Sequence, residues 1–164
     1  MKLTVRLAAL LAPVALLATP ALAQNMGQIG SVQRGASCAG CNLFQAELSG
    51  RSLAGRSYAQ ARLRQADLSL STAPRANFSG ADLRDLNGFG GVFSSANFAG
   101  ADLTNANFVG AHLEGANLRG ANLQGVNFSG AEMRTAVGLH PGQLAGACGD
   151  PATRLPAGLH LRPC

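Results

Sequence analysis

The chain has 164 residues, a net charge of +5 and only 13% charged residues, with 21 Gly and no Trp. This length bounds it to one small domain, and a hydrophobic content of 47% excludes a disordered chain. Because aromatic residues make up only 5%, small side chains must fill most of the interior.

Residues 1–23 predict a secretory signal peptide. A basic start at Lys2 and Arg6 precedes an apolar run over 7–22, and Ala21-Leu22-Ala23 offers a cleavage site before Gln24. The run has 16 residues and contains two prolines, whereas a transmembrane helix needs about 20 apolar residues. We therefore expect a periplasmic or secreted protein that begins at Gln24 and has no membrane span after cleavage.

A five-residue repeat fills residues 41–135, as in Ala96-Asn97-Phe98-Ala99-Gly100. The central position is Leu or Phe in 15 of the 19 units, so the phase is kept without an insertion. Ala commonly stands two positions before the centre and Gly two positions after it. A helix is excluded because a period of five drifts off any face of a 3.6-residue helix.

The repeat predicts an all-β solenoid with a square cross-section. Ala and the central residue are two apart, so both face inward in an extended segment, and Gly tolerates the positive φ of the following corner. Four right-angled units close a coil of 20 residues, and about five such coils would stack roughly 4.8 Å apart. Residues 20 apart should then stack like on like, as in the column Leu43, Leu63, Leu83, Leu103 and Leu123.

Tandem Ala-(Asp/Asn)-Leu-x-Gly resembles the pentapeptide repeat family. The resemblance implies a right-handed quadrilateral β-helix over 41–135, and the tail with its Cys residues is similar to tails of exported members. Residues 24–40 are expected to form an N-terminal lead-in and cap, and 136–164 a C-terminal cap and tail. Most members have no known function, whereas one subgroup mimics DNA in shape and charge and inhibits DNA gyrase.

Several units depart from the repeat. Arg51 and Arg56 occupy inward Ala positions, where an unpaired buried Arg is costly, so either the backbone deforms to turn them outward or they cap the open end. Residues 71–75 and 86–91 are expected to bulge as loops, which would expose Phe89. The candidate binding surface is cationic, although Asp67, Asp82 and Asp85 in the same coils favour a solvated face of mixed charge; its residues are Arg51, Arg56, Arg62, Arg64 and Arg84.

Residues 139–147 predict a short helix that begins near Pro141, followed by an extended tail whose Leu155, Leu159 and Leu161 cover the last coil. Cys38 and Cys41 belong to the N-terminal end, whereas Cys148 and Cys164 belong to the C-terminal cap. In a stacked coil the two pairs are too far apart to bond with each other, so we predict a Cys148–Cys164 disulfide. Whether Cys38 and Cys41 are bonded stays open. A redox role for this pair is disfavoured because no βαβ pattern surrounds it, and a zinc site because His112, His140 and His160 do not cluster.

The chain has no nucleophile motif, phosphate loop or metal-ligand spacing, so neither an enzyme nor a cofactor is expected. The pattern favours a non-catalytic exported structural or protein-interaction scaffold. Binding of an anionic envelope polymer through the Arg-bearing faces is the alternative. Removal of Lys2 and Arg6 lowers the net charge from +5 to +3, which argues against both a nucleic-acid partner and an acidic DNA-mimic that binds gyrase. The sequence indicates neither the identity of the partner nor the oligomeric state.

Overall fold

The computed structural model describes residues 24–164, and the predicted signal peptide, residues 1–23, lies outside them. Between residues 41 and 135 the backbone forms a parallel β-helix. From Asn42 to Asn117, every fifth residue makes an isolated β-bridge to the residue 20 positions later; for example, Asn42 bridges to Arg62 and Arg62 to Asp82. This register is the coil length that the five-residue repeat predicts.

The corners of each coil turn in the left-handed region of φ. Gly100 has φ 66° and Gly110 also 66°, which glycine adopts without strain. Eight corners instead carry a residue with a side chain, including Leu70 at φ 56°. A backbone hydrogen bond closes each turn, such as the 2.9 Å bond from the Ala106 N–H to the Leu103 carbonyl. The corner therefore depends on the coil geometry and not on glycine alone.

The inward columns form one continuous core from Ile29 to Ala147. Aromatic rings stack along one column, with 5.3 Å between the ring centroids of Tyr58 and Phe78 and 5.2 Å between those of Phe78 and Phe98. Burial raises the pKa of Tyr58 to about 12.

The units at 71–75 and 86–91 do not bulge, so this prediction was wrong. Bridges from Thr72 to Val92 and from Asn87 to Asn107 keep both segments in the regular register. A Cβ at Gly88 would lie 2.9 Å from the Phe108 ring, and one at Gly91 would lie 2.6 Å from the Phe93 ring. The two glycines thus make room for large rings inside an undistorted coil.

Helix α1, Met26–Gln33, covers the N-terminal end of the coil. Asn25 caps it, because its side-chain oxygen accepts a hydrogen bond from the Gln28 N–H. Ile29 and Val32 are buried against the first coil. The N-terminal segment thus contains a helix that the repeat pattern does not indicate.

The stack continues past residue 135 into the tail. Val137 bridges to Asn117, Cys148 to Asn127 and Arg154 to Glu132. Helix α2, Pro141–Leu144, replaces the strand on the remaining side, and it begins at Pro141 as the sequence predicts.

Beyond α2, strand β1, Cys148–Gly149, pairs in parallel with strand β2, Arg162–Pro163. The tail thus adds further layers over the last coil. Within residues 24–164, no helix has the length and apolar character that crossing a membrane requires.

Candidate functional site

The five arginines of the predicted binding surface do not come together. Arg62, Arg64 and Arg84 lie on one side of the coil, whereas Arg51 and Arg56 lie on other sides near the N-terminal end. The backbone at these two residues is not deformed, since Ser52 and Ser57 keep their bridges to the coil above. Both arginine side chains are exposed at the open end of the stack.

On the side that Arg62, Arg64 and Arg84 share, each arginine contacts a side chain of the same coil or of an adjacent coil. Arg84 donates through Nε and Nη2 to the two carboxylate oxygens of Asp82, each at 2.7 Å, and its Nε lies 3.6 Å from Asp102. The Arg64 Nε lies 3.4 Å from an oxygen of Asp85. The guanidinium of Arg62 lies 4.9 Å above the centroid of the Phe44 ring. This side is a surface of mixed charge with internal pairing.

The pairing with Arg84 lowers the pKa of Asp82, mainly through the side-chain hydrogen bond, and raises the pKa of Arg84 itself. Asp82 therefore stays ionised over a wide pH range. A bidentate contact of this kind leaves less of the guanidinium available to an anionic ligand.

Asparagine ladders occupy two further sides of the coil. The Asn97 Nδ2 donates to the Asn77 Oδ1 at 3.2 Å, and the Asn117 Nδ2 donates to the Asn97 Oδ1 at 3.1 Å. The Asn97 Oδ1 also accepts a hydrogen bond from the Ala99 N–H at 3.1 Å. A similar ladder runs through Asp67, Asn87 and Asn107. Most polar atoms of these side chains are already hydrogen-bonded to one another or to the backbone, so the ladders stabilise the stack.

An exposed apolar patch lies at one corner of the coil. Leu70 is 64% and Phe89 48% exposed, and they are neighbours because the Leu70 N–H donates to the Phe89 carbonyl at 2.8 Å. The Leu70 Cδ2 lies over Gly90, and half-buried Val109 follows Phe89 one coil later. We call Leu70, Phe89 and Val109 the Leu70–Phe89 patch. Its exposure comes from the regular outward position of Phe89, not from the loop that the sequence predicted.

Disulfides fasten both ends of the described chain. Cys38 is bonded to Cys41 with 5.4 Å between their Cα atoms, and Cys148 to Cys164 with 4.9 Å between theirs. The second bond joins β1 to the residue after β2, so it holds the tail against the last coil.

Asp150 organises the turn that follows β1. Its Oδ1 accepts hydrogen bonds from the N–H of Gly130 at 2.8 Å and from those of Ala152 and Thr153 at 3.0 Å. These bonds, above all that from Gly130, lower the pKa of Asp150. The carboxylate therefore links the tail to the last coil.

The tail also encloses a cleft of about 590 Å³. Leu155, Leu159 and Leu161, which the sequence predicts to cover the last coil, are half-buried against the core and line this cleft. Arg154 and His160 also line it.

The three histidines lie apart from one another: His160 lines the cleft, whereas His112 and His140 lie elsewhere. The His112 Nδ1 lies 2.8 Å from a Glu132 oxygen on the outside of the coil, and the His140 Nδ1 accepts from the Gln143 N–H at the start of α2. In the part of the chain that the structure describes, no group of three or more His, Cys, Asp or Glu side chains could hold a metal ion.

Residues 58–87 and 93–134 match the pentapeptide repeat family in eight copies. Alr5209, a pentapeptide repeat protein from Nostoc PCC 7120, is 28% identical over 64% of this chain and 78% of its own, with a TM-score of 0.48. Rfr23, a pentapeptide repeat protein from Cyanothece 51142, is 26% identical over 79% of this chain and 98% of its own, with a TM-score of 0.33.

QnrB1, a plasmid-mediated fluoroquinolone resistance protein, is 17% identical over 64% of this chain and 60% of its own, with a TM-score of 0.41. No curated protein matches the chain. The family match covers most of the coiled region and follows the register of its bridges. Residues 58–87 and 93–134 of the β-helix are therefore similar in sequence to pentapeptide repeats.

Proposed function

We propose that this protein is a non-catalytic, exported scaffold that binds a protein partner through the Leu70–Phe89 patch. The observation that carries the proposal is the pair of large apolar side chains, Leu70 and Phe89, exposed side by side on a regular coil. Exposed aromatic and aliphatic groups of this kind are typical anchors of protein interfaces.

The setting of the patch favours binding with little loss of conformational freedom. Hydrogen bonds hold both residues in place. The Leu70 N–H donates to the Phe89 carbonyl in the next coil, and the Phe89 N–H donates to the Asn87 side chain in its own coil. A preordered surface loses less conformational entropy when a partner binds. The adjacent Asn87 and Asn107 amides are bonded to each other, so a partner can cover them without leaving this pair unbonded.

Export is supported by the pattern of residues 1–23 and by the two disulfides, which are typical of oxidising compartments. Mass analysis of the protein from its native host should give a first residue of Gln24. Recovery of the chain from the cytoplasm with Met1 retained would contradict export.

Binding of an anionic envelope polymer is the second candidate, and the geometry favours it less. The ion pairs of Arg64 and Arg84 with Asp85 and Asp82 place carboxylates where a polymer phosphate or carboxylate would have to lie.

Capture of partners from an envelope extract at low and high salt, with Phe89→Ser and Leu70→Ser variants, tests the proposal. Val137→Ser is the matched control, because Val137 is 53% exposed and lies outside the patch. We expect one protein to be retained at high salt by wild type and by Val137→Ser, and lost with either patch variant. Retention by both patch variants, or capture of polymer that fades with salt, would contradict the proposal.

A further inference from the structure

The first coil ends in strand edges that the N-terminal segment covers on most sides. The Gln28 side chain accepts a hydrogen bond from the Asn42 N–H at 2.8 Å, and the Gln33 side chain donates to the Glu47 carbonyl at 3.0 Å. On another side, Ser57 donates its N–H to the Ser37 hydroxyl and accepts at its carbonyl from the Cys38 N–H. Side chains and backbone from residues 24–40 thus replace part of a missing coil.

The side formed by residues 51–55 has no such cover. Within residues 24–164, the N–H and carbonyl of Ser52 and the carbonyl of Ala54 have no hydrogen-bond partner. Ser52 and Ala54 are exposed, whereas Leu53 between them is fully buried in the core. The edge is therefore held in a strand conformation and is open to solvent.

The coil above shows which bonds such an edge makes. The Thr72 N–H donates to the Arg51 carbonyl at 2.9 Å, and its carbonyl accepts from the Leu53 N–H at 2.7 Å. The Pro74 carbonyl accepts from the Gly55 N–H at 2.9 Å. Ser52 and Ala54 hold the corresponding positions one coil lower, so the edge offers one donor and two acceptors in a parallel register.

Two cations flank this edge. Arg51 and Arg56 are exposed, and neither forms an ion pair with a carboxylate of the described residues, where the pairs involve Arg64, Arg84 and His112. Residues 41–60 contain one acidic side chain, Glu47, which lies on the adjacent side of the coil. Since the same residues include Arg51 and Arg56, the first coil carries more positive than negative charge.

A second copy of this chain is a poor occupant. The opposite end of the stack also carries exposed arginines, at Arg134, Arg154 and Arg162. Its carboxylates already have partners, since Glu132 contacts His112 and Asp150 accepts from backbone N–H groups, so end-to-end stacking would bring like charges together. Charge complementarity with Arg51 and Arg56 instead favours an acidic strand from another protein.

We propose that the Ser52–Ala54 edge binds an extended acidic segment of a partner protein, which adds one parallel strand while its carboxylates pair with Arg51 and Arg56. Strand addition of this kind takes affinity from backbone hydrogen bonds and specificity from the flanking side chains. The inference stands apart from the Leu70–Phe89 patch and can fail or hold independently of it.

A fluorescent eight-residue peptide of alternating Glu and Thr, followed by fluorescence anisotropy, tests the proposal. Arg51→Glu should weaken binding about tenfold, because it places a negative charge beside the carboxylates of the peptide. Arg119→Glu is the matched control, since Arg119 is exposed on the side of the coil and the change in net charge is the same. Equal weakening by both variants would show non-specific attraction and overturn the proposal.

The backbone contribution is tested separately. Ser52→Pro removes an N–H that bonds to nothing in the described chain, so it should weaken binding without a lower melting temperature. A peptide of the same sequence with N-methylated amides should not bind wild type, and this arm does not depend on the folding of any variant. Equal binding of the N-methylated peptide, or no binding of the unmodified peptide to wild type, would refute strand addition.

Discussion

Phe98→Ala is expected to destabilise the coil by about 3–5 kcal/mol, since it deletes a large ring from a tightly packed core. Phe98 is 1% exposed, and its ring centroid lies 5.2 Å from that of Phe78 in a nearly parallel stack. It also meets the edges of Phe93 at 5.8 Å and Phe108 at 5.9 Å. Each aromatic pair contributes about 0.5–1.5 kcal/mol beyond area burial, so the upper half of the range is expected.

Urea denaturation of wild type and Phe98→Ala, followed by circular dichroism, measures the difference in the free energy of unfolding. Thr72→Ala is the control, because Thr72 is exposed in an outward column and its change should cost no more than about 0.5 kcal/mol. Similar losses in both variants would refute the inward and outward assignment of the columns.

Four further changes test other parts of the structure. Ser71→Ala should raise the free energy of unfolding by about 1 kcal/mol in urea denaturation, because the buried Ser71 hydroxyl has no partner among residues 24–164; a loss of stability would contradict this. Gly100→Ala should lower it by about 1–2 kcal/mol through its φ of 66° alone, since a Cβ there meets no atom within 4 Å, and an unchanged value would contradict the corner geometry. Replacing Cys148 and Cys164 together by Ser should lower the free energy of unfolding by about 3 kcal/mol. Under non-reducing conditions the variant should therefore melt at a lower temperature than wild type, and equal melting temperatures would contradict this. The pKa of Asp150 is lowered in the fold, so its contribution is present above the unfolded Asp pKa of about 3.9 and is lost as pH falls through the lower folded pKa. Asp150→Asn should therefore lose less stability than wild type on acidification through that range, and equal losses would show that the carboxylate is not linked to folding.

The side-by-side stacking of the coils could be predicted because the repeat carries two periods at once. A period of five sets which residues face inward, and a period of 20 brings identical residues such as Leu83 and Leu103 into one column. Alternation in short extended segments is enough for this, since each segment has only one inward face. The Cys148–Cys164 pair follows from the same geometry, because both residues belong to the cap.

Other features depend on contacts that the repeat does not contain. Helix α1 carries Gly27 and Gly30, which are poor helix formers, and it is held by the side chains of Gln28 and Gln33 against the first coil. Its sequence signal is limited to the Asn25 cap and two apolar residues. Tertiary contact therefore outweighs local propensity in this segment.

The predicted bulges do not form, because units that depart from the repeat in sequence keep the regular backbone register. Gly88 and Gly91 instead accept the rings of Phe108 and Phe93. The pairing of Arg84 with Asp82 was accessible from the sequence, since residues two apart within a unit lie on the same outward face. The separation of Arg51 and Arg56 from the other arginines follows from their columns, which belong to different sides of the coil.

The measurement that tests the 20-residue register and the Leu70–Phe89 patch most directly is a nuclear Overhauser experiment on the methyl groups of Leu70. In the structure its Cδ2 lies over Gly90, the residue 20 positions later, beside Phe89. Strong contacts from the Leu70 methyl protons to the α-protons of Gly90 are the expected result. Contacts of Leu70 to residues at another separation, with none to Gly90, would contradict both the stacked coil and the surface on which the proposed function depends.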